Sequence, residues 1–344
     1  MVLLYIFFYL FAVIVELSKN VNKNAILAIA CLALAFFAGL RDPSRWADTI
    51  VYVMSFTDYT NPLYEWSPTD EPFGYSEYGF YFLGVIFKTF SSNVTAYLTF
   101  IAALTFIYMY KDFKRYCYYP IFGVCAYISR FYLARNLIQI RAGLSYAFVL
   151  WAVQYITHRD WKRYFFWVFV AYLFHHSALL AVPLYFLCMI RIKKWHIVVG
   201  ILLAFILGGI YTEPVRWMVS DYAEDLNVTS YVGDEYQREW GLANPMIYFQ
   251  LFLLLFYTFS ERTLRLTSED YYTIRTAYFY STFILISLSM YTALSGRTSS
   301  MYSTLEMAII PTLINTFMKK NRVVAYIGMG VALTAIFYMN AGGF

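Results

Sequence analysis

Long, nearly continuous apolar stretches recur along the whole chain and constrain its fold more than any other feature. A helix needs about 20 apolar residues to cross a bilayer, and most of these stretches approach that length. Of the 344 residues, 61% are hydrophobic and 14% are charged, whereas soluble domains carry about 25% charged residues. We therefore predict an all-α polytopic membrane protein, a single transmembrane domain over residues 1–344 with about 11–13 transmembrane segments.

The predicted spans follow the continuous apolar length. They are Val2–Leu17, Ala25–Leu40, Val94–Tyr110, Cys117–Leu133, Leu137–Ile156, Tyr164–Ile190, Ile197–Tyr211, Pro245–Phe259, Thr273–Leu294, Met301–Phe317 and Val323–Asn340. The first stretch has no basic region before it and no small-residue cleavage site after it. It is therefore expected to be a retained transmembrane helix rather than a signal peptide.

Short basic connectors decide the predicted orientation, because cytoplasmic loops are enriched in Lys and Arg. These connectors lie at 19–23, 111–115, 158–163, 191–194, 261–265 and 319–322. All of them are cytoplasmic if Gly79–Phe90 does not cross the membrane and Tyr164–Ile190 is a broken, re-entrant segment of two half-helices meeting near His175. If both segments cross once, two connectors fall outside. The first arrangement places both termini outside and predicts two long external loops, 41–77 and 212–244.

Two adjacent histidines, His175 and His176, stand in the middle of an apolar stretch. Ionisable side chains at membrane depth are costly, so they usually face a protein interior or a wet cavity. The pair therefore predicts a functional site, and the alternative is a buried histidine that donates to a carbonyl of a neighbouring helix. No His-x-x-x-His spacing is present, and the cysteines have unrelated spacings. Neither a metal site, a cofactor nor a disulfide framework is predicted.

Arginines lie at several predicted membrane boundaries. Arg41 follows the second span and is followed by Asp48, and Arg135 and Arg141 flank the start of another span. Arginine suits bidentate capture of phosphate, and a nearby carboxylate can act as a base. A helix break near Asn136 would let Arg135 and Arg141 converge on one cavity. The alternatives are an interfacial anchor at Arg41 and arginines that snorkel to lipid head groups.

A third polar group lies near the end of the chain. Arg297 precedes the predicted helix Met301–Phe317, and Tyr302 and Glu306 are four residues apart, so they are expected on one face. A carboxylate inside a span is costly unless it is paired, and Arg297 or His175 could be the partner. Glu306 could equally be a structural brace. The net charge of +5 is spread over short loops, which does not favour nucleic-acid binding.

Four segments together resemble the EpsG family of polytopic bacterial membrane proteins. They are Gly39-Leu-Arg-Asp…Asp48-Thr…Tyr52, Arg141-x-Gly-Leu-x-x-Ala147, Phe174-His-x-Ser-Ala-Leu179 and Gly-Arg297…Tyr302…Pro311. The segments occur in the family's order, and Phe-His-x-Ser-Ala is the most specific of them. Trp46-Ala47 stand before Asp48 where family members often carry Gly, while Asp48 and Tyr52 remain in register. The family is similar to Wzy-type polymerases of O-antigen, capsule and exopolysaccharide repeat units.

The resemblance implies a glycosyltransferase of the bacterial inner membrane that acts on undecaprenyl-pyrophosphate-linked sugars at the periplasmic face. Its expected partners are this lipid-linked oligosaccharide, membrane lipids, a chain-length regulator and a flippase. We expect Arg135, Arg141 and Arg297 to neutralise the leaving pyrophosphate, with Arg41 as a further candidate. His175 is the first candidate for the base and Asp48 the second.

Two other functional classes use similar residues. A transporter or flippase of lipid-linked oligosaccharide would also have arginine-lined cavities and broken helices. A membrane O-acyltransferase that modifies glycan would also use a histidine base in a membrane cavity. Chain lengthening by the isolated protein separates a polymerase from both.

Overall fold

The computed structural model describes residues 1–209 and 241–342, which are helical and contain no strand. This part of the chain forms two compact units, Met1–Val182 with Glu306–Phe344, and Pro183–Leu305. The predicted all-α class is confirmed. Most of the predicted external loop 212–244 lies outside the described residues.

The first unit contains most of the helices. They are α1 (Val2–Leu17), α2 (Lys23–Gly39), α3 (Ala47–Asp58), α4 (Tyr78–Phe90), α5 (Val94–Tyr116), α6 (Pro120–Tyr127), a π-helix (Ile128–Ile138), α7 (Ile140–Thr157), α8 (Trp161–Phe174) and a 3-10 helix (His176–Ala181). The short α9 (Val182–Met189) follows. The second unit contains α10 (Lys194–Gly209), α11 (Pro245–Phe259), α12 (Tyr271–Ser287) and α13 (Thr292–Ser303). The chain then returns to the first unit with α14 (Glu306–Thr312) and α15 (Arg322–Ala341).

Short polar side chains begin several of the helices. The side chain of Asn22 accepts a hydrogen bond at the start of α2, as Asn93 does at α5 and Asp160 does at α8. Such caps satisfy one of the backbone amides that the first turn of a helix leaves without a partner. These residues explain why the predicted starts of α2 and α5 lie within two residues of the observed ones.

An aromatic cluster fixes α3 and α4 against α5. The rings of Phe56 and Tyr97 stack with centroids 4.1 Å apart, and Tyr52 meets the edge of Phe80 at 5.8 Å. All four side chains are buried. Offset-stacked and edge-to-face pairs stabilise a core beyond the area that they bury. The cluster therefore fixes α3 and α4, the two helices on either side of the polar segment 59–77.

Apolar side chains cover the outside of the molecule. α5 and Lys319–Ala341 are long and apolar enough to cross a membrane, and several shorter helices are similarly apolar. On α1, the side chains of Leu3, Phe7 and Ile14 are each more than 65% exposed. Soluble monomers rarely expose apolar surface of this extent. Together with the apolar helices, these surfaces favour a membrane protein.

The segment Tyr164–Ile190 is interrupted at His175, as predicted. α8 lies before the interruption, and the 3-10 helix and α9 follow it. α8 ends at Phe174, and His175 has the extended backbone angles φ −161° and ψ 124°. The arrangement of the segment in the bilayer, and the number of spans, remain predictions.

The prediction of one helix over Met301–Phe317 is wrong. α13 ends at Ser303 and α14 begins at Glu306, so Tyr302 and Glu306 lie on different helices, and Arg297 lies within α13 rather than before a helix. Hydroxyl groups explain the interruption, because the Thr304 Oγ1 donates to the Ser300 carbonyl at 2.8 Å. Such back-bonding competes with the helical ladder and bends helices.

The second unit is held at one end by an ion-pair network. Glu261 accepts from Lys194 at 3.2 Å and pairs with Arg275 at 3.5 Å. Arg275, which is 3% exposed, also donates to the Ile192 carbonyl at 2.6 Å. This network joins the starts of α10 and α12.

Candidate active site

The π-helix and α7 meet at a sharp break that separates Arg135 from Arg141. The amide of Gln139 donates to the Ala134 carbonyl at 2.8 Å, five residues earlier, and α7 then begins at Ile140. A Cβ on Gly143 would lie 2.3 Å from the Arg135 carbonyl oxygen. Glycine therefore lets α7 pack directly on the last turn of the π-helix. A helix break of the kind considered near Asn136 is present at Gln139.

Arg141 is enclosed by a carboxylate and two aromatic rings. Its guanidinium pairs with the Glu77 carboxylate, and the two side chains are 15% and 7% exposed. The same guanidinium lies 4.6 Å from the ring centroid of Tyr75 and 5.2 Å from that of Tyr52. Burial raises the pKa of the Tyr75 hydroxyl to about 12, so this ring stays neutral. Arg141 is thus fixed in one orientation by charge and by cation–π contact.

Glu77 reaches this position because α4 approaches the end of α8 closely. A Cβ on Gly79 would lie 2.4 Å from the Leu173 carbonyl oxygen, so only glycine permits this contact. Glu77 immediately precedes α4, and its second carboxylate oxygen accepts from the His176 amide at 3.4 Å. Glu77 therefore joins Arg141 to the turn that follows α8.

His175 is held by the turn that it begins. Its Nδ1 accepts from the Ser177 amide at 3.2 Å and lies 2.6 Å from the Ser177 Oγ. The Ser177 Oγ lies 3.0 Å from the Tyr146 hydroxyl. Because an amide N–H can only donate, Nδ1 is an acceptor, and the proton of the neutral ring is on Nε2. The Ser177 amide thus fixes the tautomer of His175.

Arg135 is also connected to the His175–Ser177 turn, through Tyr146. The guanidinium lies 4.6 Å from the centroid of the Tyr146 ring, and it donates to the Gln139 side chain. Tyr146 in turn contacts both His175 and Ser177. Arg135 and Arg141 are therefore both connected to the His175–Ser177 turn, one through Tyr146 and the other through Glu77.

His176 has a different environment from His175. Its ring stacks on Tyr172, with centroids 4.9 Å apart and an interplanar angle of 30°. Tyr172 lies four residues earlier, on the last turn of α8. The two histidines therefore point to different neighbours, and only the His175 ring is held by the Ser177 turn.

Arg41 and Asp48 lie at the start of the segment 41–77, which is predicted to be external. Arg41 donates to the Ala38 carbonyl and to Thr49 Oγ1, the second at 3.2 Å, and Thr49 donates to the Leu137 carbonyl at 2.6 Å. These contacts tie α3 to the π-helix. The local pairing of Arg41 with Asp42 is not formed among the described contacts, since Asp42 binds Ser44 and Arg45 instead.

Asp48 differs from the other acidic residues of the site. It stands one turn before Tyr52 on α3, whose ring lies under Arg141. Its carboxylate makes no hydrogen bond or ion pair with the described part of the chain. Within residues 1–209 and 241–342, Asp48 is thus a carboxylate one turn from Tyr52 that has no hydrogen-bond or ion-pair partner.

Glu306 pairs with Arg130, which was not among the site residues predicted from the sequence. Its carboxylate lies 3.3 Å from Arg130 Nε, and its side chain is 1% exposed. Both residues belong to the first unit, whereas Arg297 and Tyr302 belong to the second. Tyr302 is buried and Arg297 is half-buried.

Several residues of the site were missed from the sequence. They are Tyr75, Glu77, Tyr146 and Ser177. Glu77 carried a usable signal, because a lone carboxylate stands directly before an apolar helix with Gly79 at its start. Tyr146 carried none, since tyrosines are abundant throughout the chain.

Comparison with known proteins places the chain in a family. No curated protein and no solved structure matches the chain. The model of the EpsG family matches residues 24–342, which is nearly the whole chain and includes the π-helix, α7 and the His175–Ser177 turn. The chain belongs to the EpsG family.

Proposed function

We propose that this protein joins lipid-pyrophosphate-linked oligosaccharide repeat units into polysaccharide. Family membership indicates a role in polysaccharide polymerisation. The observation that supports the finer proposal is the connection of two buried arginines, Arg135 and Arg141, to one turn that carries His175. Fixed positive charge beside a proton donor is what the departure of a pyrophosphate requires.

In the proposed reaction, an acceptor sugar hydroxyl attacks the anomeric carbon of the growing glycan. The new glycosidic bond forms as the bond from sugar to pyrophosphate breaks, and the hydroxyl proton passes to a base. Negative charge develops on the leaving lipid pyrophosphate, where preorganised arginines stabilise it more than water would. Arg141 and Arg135 supply this charge, and the planar fork of arginine suits bidentate contact with phosphate.

His175 was the first candidate for the base and Asp48 the second. The geometry favours Asp48 as the base and His175 as a proton donor. Because Nδ1 of His175 accepts from Ser177, the neutral ring presents an Nε2 proton rather than a lone pair. His175 is therefore proposed to donate to a substrate oxygen. Asp48, whose carboxylate has no hydrogen-bond partner in the described chain, is proposed as the base for the acceptor hydroxyl.

The remaining predicted residues have supporting roles in this proposal. Arg297 and Tyr302 contribute to substrate binding on the strength of the family pattern. Arg41 holds α3 against the π-helix through Thr49, which positions Asp48 and Tyr52. Glu306 is proposed to brace the first unit through its ion pair with Arg130.

The proposed setting is the bacterial inner membrane, with the site facing the periplasm and undecaprenyl pyrophosphate as the lipid carrier. A flippase would supply the substrate, and a chain-length regulator would act on the product. The distribution of basic connectors supports this orientation. Membrane-impermeant thiol labelling tests it: Glu65→Cys should label in intact spheroplasts, and Lys114→Cys should label only after permeabilisation. The reverse pattern would contradict the orientation.

The activity is tested with the purified full-length chain and a lipid-linked repeat unit in detergent. A polymerase yields longer lipid-linked glycans and releases the lipid pyrophosphate in equal number to the bonds formed. A flippase changes only the sidedness of the substrate in proteoliposomes, and an O-acyltransferase requires an acyl donor. Failure to lengthen under conditions where the substrate is moved or acylated would overturn the proposal.

A further inference from the structure

A cavity separate from the His175 turn lies in the first unit, between the π-helix and the end of α15. Its volume is about 220 Å³, and its lining includes Arg130 and Asn340 together with apolar Leu133, Ala134 and Met339. Small-molecule pockets are typically about 300–1,000 Å³. The cavity is therefore sized for a small head group rather than for an oligosaccharide.

Arg130 is the charged residue in the lining of this cavity. Its Nε pairs with Glu306 at 3.3 Å, and the carboxylate is 1% exposed. Within the described part of the chain, the two terminal nitrogens of Arg130 make no hydrogen bond. Glu306 thus holds the guanidinium through Nε, and the two terminal nitrogens keep their capacity to donate. Such a planar pair of donors matches phosphate or carboxylate oxygens.

Asn340 joins the two sides of the cavity, which are the end of α15 and the π-helix. The Asn340 side chain donates to the Ser129 carbonyl at 2.8 Å, so the end of α15 is tied to the π-helix beside Arg130. This contact makes the cavity a built feature of the unit rather than a gap between loosely packed helices.

An apolar stripe leads along α15 to the cavity. Val324, Ile327, Val331 and Tyr338 are 63–68% exposed and recur at helical spacing on one face. The stripe ends beside Met339, which lines the cavity. An anion site at the end of a lipid-facing stripe is complementary to a molecule with a charged head and an apolar chain.

We propose that this cavity binds the phosphate head group of a membrane lipid. The terminal nitrogens of Arg130 bind the phosphate oxygens, and the lipid chain lies along the stripe on α15. This site is distinct from the Arg135 and Arg141 site, and it does not depend on the proposed polymerase function.

The test is native mass spectrometry of the full-length chain in detergent, titrated with phosphatidic acid. Diacylglycerol with the same chains is the ligand without phosphate, and inorganic phosphate is the ligand without chains. We expect phosphatidic acid to bind and diacylglycerol not to bind at matched concentration. Arg130→Ala should weaken phosphatidic acid binding at least about tenfold, whereas Arg163→Ala, an exposed arginine paired locally with Asp160, should not change it.

A second variant keeps the test decisive if Arg130→Ala misfolds. Arg130→Ala leaves Glu306 buried without this partner, which can destabilise the fold. Ala134→Leu instead fills the cavity and keeps the Arg130–Glu306 pair, and it should weaken binding to a similar extent. Undiminished binding to Ala134→Leu would overturn the proposal, as would equal binding of diacylglycerol. Competition by inorganic phosphate as strong as that by the lipid would overturn the lipid assignment.

Discussion

The guanidinium of Arg141 and the carboxylate of Glu77 form a largely enclosed ion pair between residues 64 positions apart in the chain. Glu77 also accepts the amide hydrogen of His176, so one carboxylate joins the start of α7 to the turn after α8. The position of Arg141 relative to His175 therefore depends on a residue from the segment before α4.

The first prediction concerns this carboxylate. Glu77→Gln removes the charge and leaves Arg141 buried without its ionic partner, which should lower the free energy of unfolding by on the order of 3 kcal/mol. Polymerisation should fall further than stability alone explains, because Arg141 loses its orientation. Thermal unfolding in detergent and glycan length are measured together. The control is Glu65→Gln at an exposed position of the same segment, which should change neither.

The second prediction concerns the chemistry of arginine. Arg141→Lys keeps the charge but loses the planar contact with Tyr52 and Tyr75 and the bidentate fork. We expect normal membrane insertion and a fall in polymerisation of about 100-fold, and the same direction for Arg297→Lys. Glycan length distributions close to wild type would assign these arginines to lipid anchoring instead.

Periodicity and apolar length predicted most of the helices, because a helix that faces lipid must satisfy its backbone internally and needs a nearly fixed length. The extents of α1 and α11 match the predicted segments Val2–Leu17 and Pro245–Phe259. The break at His175 was also predicted, because it would let the basic connectors on both sides of the segment lie on the same side of the membrane.

The contacts of the site were less predictable. The Glu77–Arg141 pair depends on how closely α4 approaches α8, and a sequence does not reveal which glycine permits such an approach. The tautomer of His175 depends on a local turn involving Ser177, which an apolar pattern does not encode. The interruption at Thr304 was missed because hydroxyl back-bonding leaves the apolar spacing of the segment unchanged.

The third prediction tests the junction of the π-helix and α7. Gly143→Ala places a methyl group 2.3 Å from the Arg135 carbonyl oxygen, and moving that backbone should cost about 1–3 kcal/mol and displace Arg135. The matched control is Gly328→Ala on α15, where a Cβ meets no atom within 4 Å. This control should be neutral or slightly stabilising, because alanine favours helix. Equal melting temperatures for the two variants would contradict the packing at Gly143.

The fourth prediction concerns the positioning of His175. Ser177→Ala removes the hydroxyl between Tyr146 and Nδ1 but keeps the Ser177 backbone amide as a donor. The tautomer should therefore persist, and the rate should fall about five- to tenfold with unchanged expression. Tyr146→Phe should give a similar loss. Nitrogen NMR of labelled histidine reports the tautomer directly, and protonation of Nδ1 in the neutral wild-type ring would contradict this arrangement.

The most direct test compares His175→Ala with His176→Ala in a strain whose only polymerase is the variant. The ring of His175 is held by Ser177 in the turn shared by both arginines, whereas the ring of His176 stacks on Tyr172. Glycan length on the lipid carrier is measured alongside the amount of protein in the membrane. His175→Ala should insert normally and leave single repeat units, a loss of at least about 100-fold, while His176→Ala should retain a ladder of long chains. Equal loss in both variants, or a full ladder from His175→Ala, would contradict the account.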